Sequence, residues 1–368
     1  MTNKKITFYK INPLKNSEQV RETWKYLQEN SPHSFFLSWP WIETWLNCLP
    51  TNQNISFIYG TLNDKPVIGY FYGLTKGFGN AITYCTRGYL NSTGIEKQDE
   101  ITIEYNGILL DKSVSECDLS DLLTKDISPW DELICPASNK ELLSVLQSNS
   151  NSLDIKLIES RPSYYVDLDK VRENNNDLLP LVSKNKKAQI KRTKKCYEKD
   201  SEFHIEIAKN KEQALEYLDC LEFHHQKNWT SKGHQGSFSN DFFCEFHKKL
   251  ITNHFHEGVI QLVKISSGTE IVGYLYNFIY QNTVLFYQSG LNYREGNLYR
   301  PGLICHYLAI NYCAREGYSI YDFLEGDSSY KKSLATDNNE LVWIKYRKNR
   351  IRFKIEDCLR YIKNKFNS

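Results

Sequence analysis

The stretch TVLFYQSGLNYREGNLYRPGLICHYLAINYCAREGYSIYDFLEGDSSYKK, residues 283–332, decides the fold. Its first nine residues, TVLFYQSGL (283–291), are rich in β-branched and aromatic side chains and predict a strand. Arg300-Pro301-Gly302 then opens a helix of about 301–316. Proline is at home in a first helical turn, and Gly317 stands where helices commonly end on a left-handed residue. SIYDFLEG (319–326) reads as a further strand. Strand, helix and strand in that order imply a parallel pair joined by a right-handed crossover.

Upstream, VIQLVKI (259–265) turns through Ser266-Ser267-Gly268-Thr269 into a strand over 270–280, so an antiparallel meander leads into the crossover. The first half rhymes with this. ISFIYGTL (55–62) turns through Asn63-Asp64-Lys65-Pro66 into 67–74. There the word VIGYFY (67–72) matches IVGYLY (271–276), with Gly69 and Gly273 204 positions apart. A helix precedes each hairpin: Ser38 is placed to cap one that runs through Trp41, Trp45 and Leu49, and Ser239 one that runs through Phe242, Phe246 and Leu250. The expectation is a duplicated mixed α+β architecture, each copy a mostly antiparallel twisted sheet with one parallel crossover and flanking helices. The boundary falls near Ser160-Arg161-Pro162, giving domains 1–160 and 161–368. The first half has no Arg-Pro-Gly helix start and runs instead through RGYLNSTGIEKQDEITIEYNGILL (87–110).

Bulk properties narrow the function classes. A chain of 368 residues suits two domains of ordinary size. A net charge of +2 gives no bulk attraction to DNA or to a membrane surface. The ten cysteines form no C-x-x-C pair, which argues against zinc ribbons and a disulfide framework and for the reducing cytoplasm. No run approaches the ~20 apolar residues of a membrane span, and the N-terminus lacks an apolar signal core. There is no P-loop, no Gly-x-Ser-x-Gly elbow and no zinc-finger or RNA-recognition word.

An antiparallel meander, a glycine-led helix and a parallel strand resemble the GNAT core. The second half is similar to the FemAB-related, CelD-like branch of that superfamily in four ordered features: the basic run KNKKAQIKRTKKCYEK (184–199), His224 with Trp229, Arg300-Pro301-Gly302, and Gly326-Asp327-Ser328-Ser329-Tyr330-Lys331. FFLSWPWIETW (35–45) and IEYNG (103–107) extend the likeness into the first half. The departure is Glu295–Gly302, a poor copy of the loop that cradles the coenzyme A pyrophosphate in typical members.

The resemblance implies an N-acyltransferase that moves an acyl group from acyl-coenzyme A, as co-substrate, or from an acyl carrier protein thioester to an amine or amino-sugar acceptor, without a metal. Tyr330 is then the acid for the departing thiolate, and Asp322 or Glu325 the carboxylate that takes the amine proton. Asp322 and Glu325 are three apart, so on an unbulged strand they point to opposite faces. Arg300, Gly302, Lys331 and Gln288 are assigned to the donor, and Glu104, Asn106, His224, Trp229 and Tyr287 to the acceptor. The basic run is a landing strip for an acidic macromolecule, an acyl carrier protein or tRNA. Rival readings are an aminoacyl-tRNA-dependent Fem-like aminoacyltransferase, acylation of a sugar in polysaccharide synthesis, and a binding module with a decayed site. Against the Fem-like reading, 211–258 has room only for modest helices.

Overall fold

The computed structural model describes residues 4–77, 84–118, 120–124, 126–143, 146, 153–198 and 201–366. In chain order its main strands are β1 (Thr7–Ile11), β2 (Ile55–Leu62), β3 (Lys65–Gly77), β4 (Cys85–Leu90), β5 (Glu132–Ser138) and the long β6 (Leu153–Asp167). They continue with β7 (Phe203–Ile207), β8 (Ile260–Ser267), β9 (Glu270–Tyr280), β10 (Thr283–Leu291), β11 (Ile320–Glu325) and β12 (Asp337–Lys348). The main helices are α1 (Ser17–Asn30), α2 (Trp39–Cys48), α3 (Lys184–Tyr197), α4 (Lys211–Thr230), α5 (Asp241–His254), α6 (Pro301–Arg315), α7 (Ser329–Leu334) and α8 (Ile351–Phe366). The chain divides into two compact units, residues 1–160 with 341–368, and residues 161–340.

In the first unit the strand order is β1-β2-β3-β4-β5-β12. All neighbours are antiparallel except the parallel pair β4–β5. The helices α1 and α2 cover one face, where Trp24 and Trp45 meet Phe71. The other face buries Tyr70 and Tyr72 with Trp130 and Leu133.

The second unit repeats this plan. Its order is β7-β8-β9-β10-β11 followed by the end of β6, again with one parallel pair, β10–β11. Tyr217 of α4 packs on Tyr274, and His247 of α5 on Tyr276. Leu275 lies between them in the alternation and points to the other face, where it shares a core with Ile304 and Ile310 of α6 and Ile190 of α3. The helix α6 is apolar nearly all round because eleven of its fifteen residues are buried.

The structure corrects four expectations. The tail 341–368, placed with the second domain above, belongs to the first unit: β12 pairs with β5, and Val342, Ile344 and Tyr346 fill the first unit's core. Each unit thus takes its sixth strand from outside its own meander, the first from the far end of the chain and the second from β6. The matching words VIGYFY and IVGYLY lie in equivalent strands but are offset by one residue. Leu62 pairs with Lys65 and Gly60 with Ile68; Ser267 pairs with Glu270 and Ile265 with Gly273. Counted from each turn, Ile68 corresponds to Gly273 and Phe71 to Tyr276, which is why Phe71 and Tyr276 are the residues that face the preceding helices. At the helix starts, Asn240 rather than Ser239 caps α5, accepting the Phe242 amide at 3.0 Å, and Ser38 stands at the start of α2 without a side-chain cap bond. Finally, Glu104 and Asn106 do not share a strand face: residues 103–107 form no strand, and Tyr105 has φ +49°. Lys199, at the end of the basic run, lies outside the described residues.

Candidate active site

The parallel pair β10–β11 is registered only from Thr283–Ile320 to Leu285–Asp322 among the described residues. Both strands bend where the pairing stops. On β10, Gln288 opposes Tyr276 and Phe286 opposes Asn277, so Tyr287 is an extra, bulged residue. On β11, Asp322 opposes Tyr165 and Glu325 opposes Ser163, three residues against two. The Asp322 carboxylate accepts the Leu324 amide at 2.7 Å and holds Leu324 at φ +59°. A third device brings α4 to the same place. A Cβ on Gly290 would stand 2.2 Å from the Leu221 carbonyl oxygen, so this glycine lets α4 lie directly on β10.

A cavity of about 600 Å³ occupies the resulting gap and reaches both faces of the sheet. On the α6 face it is lined by Arg300, Gly302, Leu303 and His306, with Lys186 of α3 and Tyr330 of α7. On the α4 face it is lined by His225, Asn228 and Trp229. The β10 edge from Phe286 to Ser289 lies between. No carboxylate is among the described lining residues.

The charged groups here are cations. Burial lowers the Lys186 ammonium pKa, and Arg300 nearby lowers it further, which favours an anion beside the pair. The Arg300 guanidinium is aimed by bonds to Gln189 Oε1 (3.0 Å) and the Asn297 carbonyl (3.3 Å). The Lys331 ammonium donates to the Glu325 carbonyl at 2.6 Å. Burial raises the Tyr330 pKa, so its hydroxyl stays protonated at neutral pH, and its ring stacks on His306 at 5.4 Å. Burial lowers His306 to about 3 and also depresses His225, so both imidazoles are neutral at pH 7. Tyr287 reaches back to a buried His247, 3.2 Å from its Nε2. The Ser289 amide is held by Gln288 Oε1 at 3.0 Å.

Of the residues singled out in the sequence, the cavity brings together Tyr330, Lys331, Arg300, Gly302, Gln288, Tyr287 and Trp229. Five lie elsewhere. Asp322 is buried and bonded to the Ser163 hydroxyl (3.0 Å) and the Leu324 amide, and Glu325 is paired with Arg161 at 3.0 Å; neither lines the cavity. Asn106 is fully buried in the first unit, where its side chain bonds Asn91, the Leu90 carbonyl and the Gly107 amide; Glu104, in the same segment, is buried too. His224 stacks over Tyr274. Sequence reasoning missed His225, Lys186 and His306. A signal for His225 was present: Ala214, Tyr217, Leu218, Leu221 and His225 are buried at helical spacing, which picks His225 and not His224 for the inward face.

A helix start aimed at a gap between splayed parallel strands, with a bulge in the strand before it, is the arrangement of a GNAT-like fold. Residues 184–332 match the family described as acetyltransferase (GNAT) domain. The matched residues lie within the second unit. The whole-chain architecture has likenesses among solved structures. It is similar to the structure of FemX, with a TM-score of 0.56 and 10% identity over 93% of this chain and 97% of that one. It is also similar to L-PGS from Bacillus licheniformis (TM-score 0.53, 12% identity, 89% and 92% of the two chains). A third likeness is the C-terminal domain of a putative lysylphosphatidylglycerol synthetase from Agrobacterium fabrum (TM-score 0.50, 9% identity, 90% and 92%). At these identities the likeness is one of fold. No curated protein matches the chain. Among the described residues no helix is long and apolar enough to cross a membrane.

Proposed function

We propose that the protein transfers an acyl group from a thioester donor to an amine in the gap between β10 and β11. The observation that carries this reading is one cavity lined from both faces of the sheet, with a helix start and cations on one side and the end of α4 on the other. Donor and acceptor entering from opposite faces meet at the gap. Holding them there supplies much of the rate, since amines already attack thioesters.

The donor phosphate sits at the start of α6, facing the Gly302 and Leu303 amides and the positive end of the helix dipole, with Arg300 and Lys186 beside it. Pro301 contributes no amide. The thioester carbonyl lies against the β10 backbone at Tyr287–Ser289, whose amides stabilise the developing oxyanion once Gln288 has turned away from Ser289. The amine nitrogen bonds to the carbonyl carbon, the carbon–sulfur bond breaks, the sulfur takes the Tyr330 proton, and the surplus amine proton passes to a base. That base is not Asp322 or Glu325, which do not reach the cavity. The chemistry itself requires no metal. Acyl-coenzyme A or an acyl carrier protein in the cytoplasm is the donor, and an amine or amino sugar the acceptor.

A second donor, aminoacyl-tRNA, is favoured by one observation. The basic helix α3 places Lys186 in the cavity wall and leaves Lys184, Lys191, Arg192 and Lys195 exposed. The two readings share the gap and differ in what lies on α3. Calorimetry with acetyl-coenzyme A, acyl carrier protein and tRNA separates them. In either case Gly302→Asp, which sets a carboxylate beside Arg300, is expected to abolish donor binding while far-ultraviolet circular dichroism stays unchanged. Undiminished affinity in that variant would end the phosphate assignment.

A further inference from the structure

The α4 side of the cavity holds an imidazole that the acyl-transfer reading leaves unused. Resting on that reading, we propose that His225 is the base that accepts the amine proton, and that Gln226 is a positioning residue that fixes the tautomer His225 needs. His225 is buried, lines the cavity opposite the α6 face, and stands one helical turn from Trp229, which lines it too. Its ring is wedged between Trp229 (centroids 5.8 Å apart) and Phe238 (5.1 Å).

The tautomer follows from a chain of two hydrogen bonds. Gln226 Nε2 donates to the Gln235 carbonyl at 2.8 Å, a bond only the amide nitrogen can make. The Gln226 Oε1 is thereby turned toward His225 Nδ1, 3.1 Å away, and can only accept. Nδ1 therefore carries the hydrogen, and Nε2 keeps the lone pair a base requires. Gly236 closes the arrangement. It has φ +74°, and a Cβ there would lie 2.4 Å from Gln226 Oε1 and 3.1 Å from His225 Cε1, so its backbone clamps both side chains.

The titratable and charged groups on the surrounding elements include Glu222, His224 and Lys227 on α4, Lys232 and His234 in the loop after it, Asp241, Cys244 and Glu245 on α5, and Lys186, Tyr287, Tyr293, Tyr299, Arg300, His306, Tyr330 and Lys331 around the cavity. No ion pair to His225 occurs among the described residues. Burial lowers its pKa and the Gln226 bond opposes this in part. The ring is thus neutral and competent above its depressed pKa, and activity falls as pH drops through that value. In the reaction the proton leaves the nitrogen of the tetrahedral adduct for Nε2, the carbon–sulfur bond breaks with the Tyr330 proton going to sulfur, and the imidazolium proton then passes through water to the Tyr330 phenolate, which restores both groups.

Long-range proton–nitrogen NMR of the histidine rings in the full chain tests the tautomer without any substrate. At pH 7 His225 should show a protonated Nδ1 and an unprotonated Nε2. Gln226→Glu keeps the size and sets a negative charge on Nδ1, so the ring pKa should rise by about one unit. The acid limb of thiol release from acetyl-coenzyme A, with glucosamine as the probe amine, should move by the same amount. His225→Gln should lower that release about 100-fold with donor affinity unchanged. A proton on Nε2, an unmoved acid limb in Gln226→Glu, or a His225→Gln rate within about threefold of the parent would each overturn the assignment. If the unaltered protein releases no thiol with any amine, acyl transfer itself fails; the ring spectrum judges the base separately.

Discussion

The two units share a strand order and one parallel pair, and they differ in what occupies the end of that pair. In the second unit β10 and β11 part around a cavity. In the first, β4 and β5 pair from Arg87–Glu132 to Tyr89–Ile134, and the segment around Asn106 then takes the next place. Asn106 donates from Nδ2 to the Leu90 carbonyl at the end of β4, its amide donates to the Ala137 carbonyl on β5, and its own carbonyl accepts from Asn139. Asn91 fastens it from beside β4, donating to Asn106 Oδ1 (2.8 Å) and to the Gly107 carbonyl (2.7 Å). The first unit fills with its own chain the position that in the second is a cavity. The meander and crossover are therefore scaffold, and the segment after the fourth strand decides between a site and a plug. After β10 that segment is a helix with a Pro-Gly start; after β4 it is the irregular run containing Asn91, Asp99 and Asn106.

The plug is where the comparison is easiest to break. Asn106→Ala removes three side-chain hydrogen bonds in a fully buried place. At about 1–3 kcal/mol for each stranded group, partly relieved by relaxation, the cost should be roughly 4 kcal/mol of stability, read by urea denaturation. Donor affinity of the second unit should not move. A parallel loss of donor affinity would mean that the first unit is not closed in the way described.

Next in size is Tyr330→Phe, which acts in the open gap. The hydroxyl is assigned to a thiolate that forms only as the bond breaks, so turnover should fall about tenfold to 100-fold while donor affinity holds within about twofold. The ring keeps its stacking on His306. Single-turnover measurement with saturating donor decides the matter, and a chemical step near the parent rate would leave Tyr330 as wall.

Acid separates the two units. Of the nine histidines only His33 lies in the first unit. In the second, burial holds His247 and His306 near 3. Such a ring binds fewer protons folded than unfolded, so its contribution to stability declines as pH falls below the ordinary imidazole value of about 6.5. Between pH 6.5 and 5 the loss is roughly 2 kcal/mol for either histidine. Hydrogen exchange resolved by segment should show residues 161–340 losing protection before residues 1–160 as the solution is acidified to pH 5. Equal loss in both units would assign the acid sensitivity to something other than these rings.

What could be read along the chain was local. The strand, helix and strand of 283–326 follow from residue type and from Pro301, Gly302 and Gly317, and so does the placement of Arg300, Gly302 and Tyr330 around one helix start. The basic face of α3 and the hairpins followed from similar short-range signals. The role of Asp322 was not readable in this way. Strand periodicity sets it opposite Glu325, but a bulge made by Asp322's own carboxylate changes the count. His225 was hidden beside His224, and the choice between them depended on which turn of α4 meets β10 at Gly290.

The sequence by itself determined the elements, their order, and the helix start of the second unit's GNAT-like core, because these depend on contacts within a few residues. The tertiary structure decided three things that depend on distant partners. It set the register in which VIGYFY and IVGYLY meet their neighbours, one residue apart, since hairpin pairing rather than word identity fixes which side chain faces a helix. It gave the tail to the first unit, because Val342, Ile344 and Tyr346 found an unfilled core beside β5. And it assigned IEYNG to a plug and the β10–β11 gap to a cavity, because a buried polar side chain takes whatever role satisfies its hydrogen bonds.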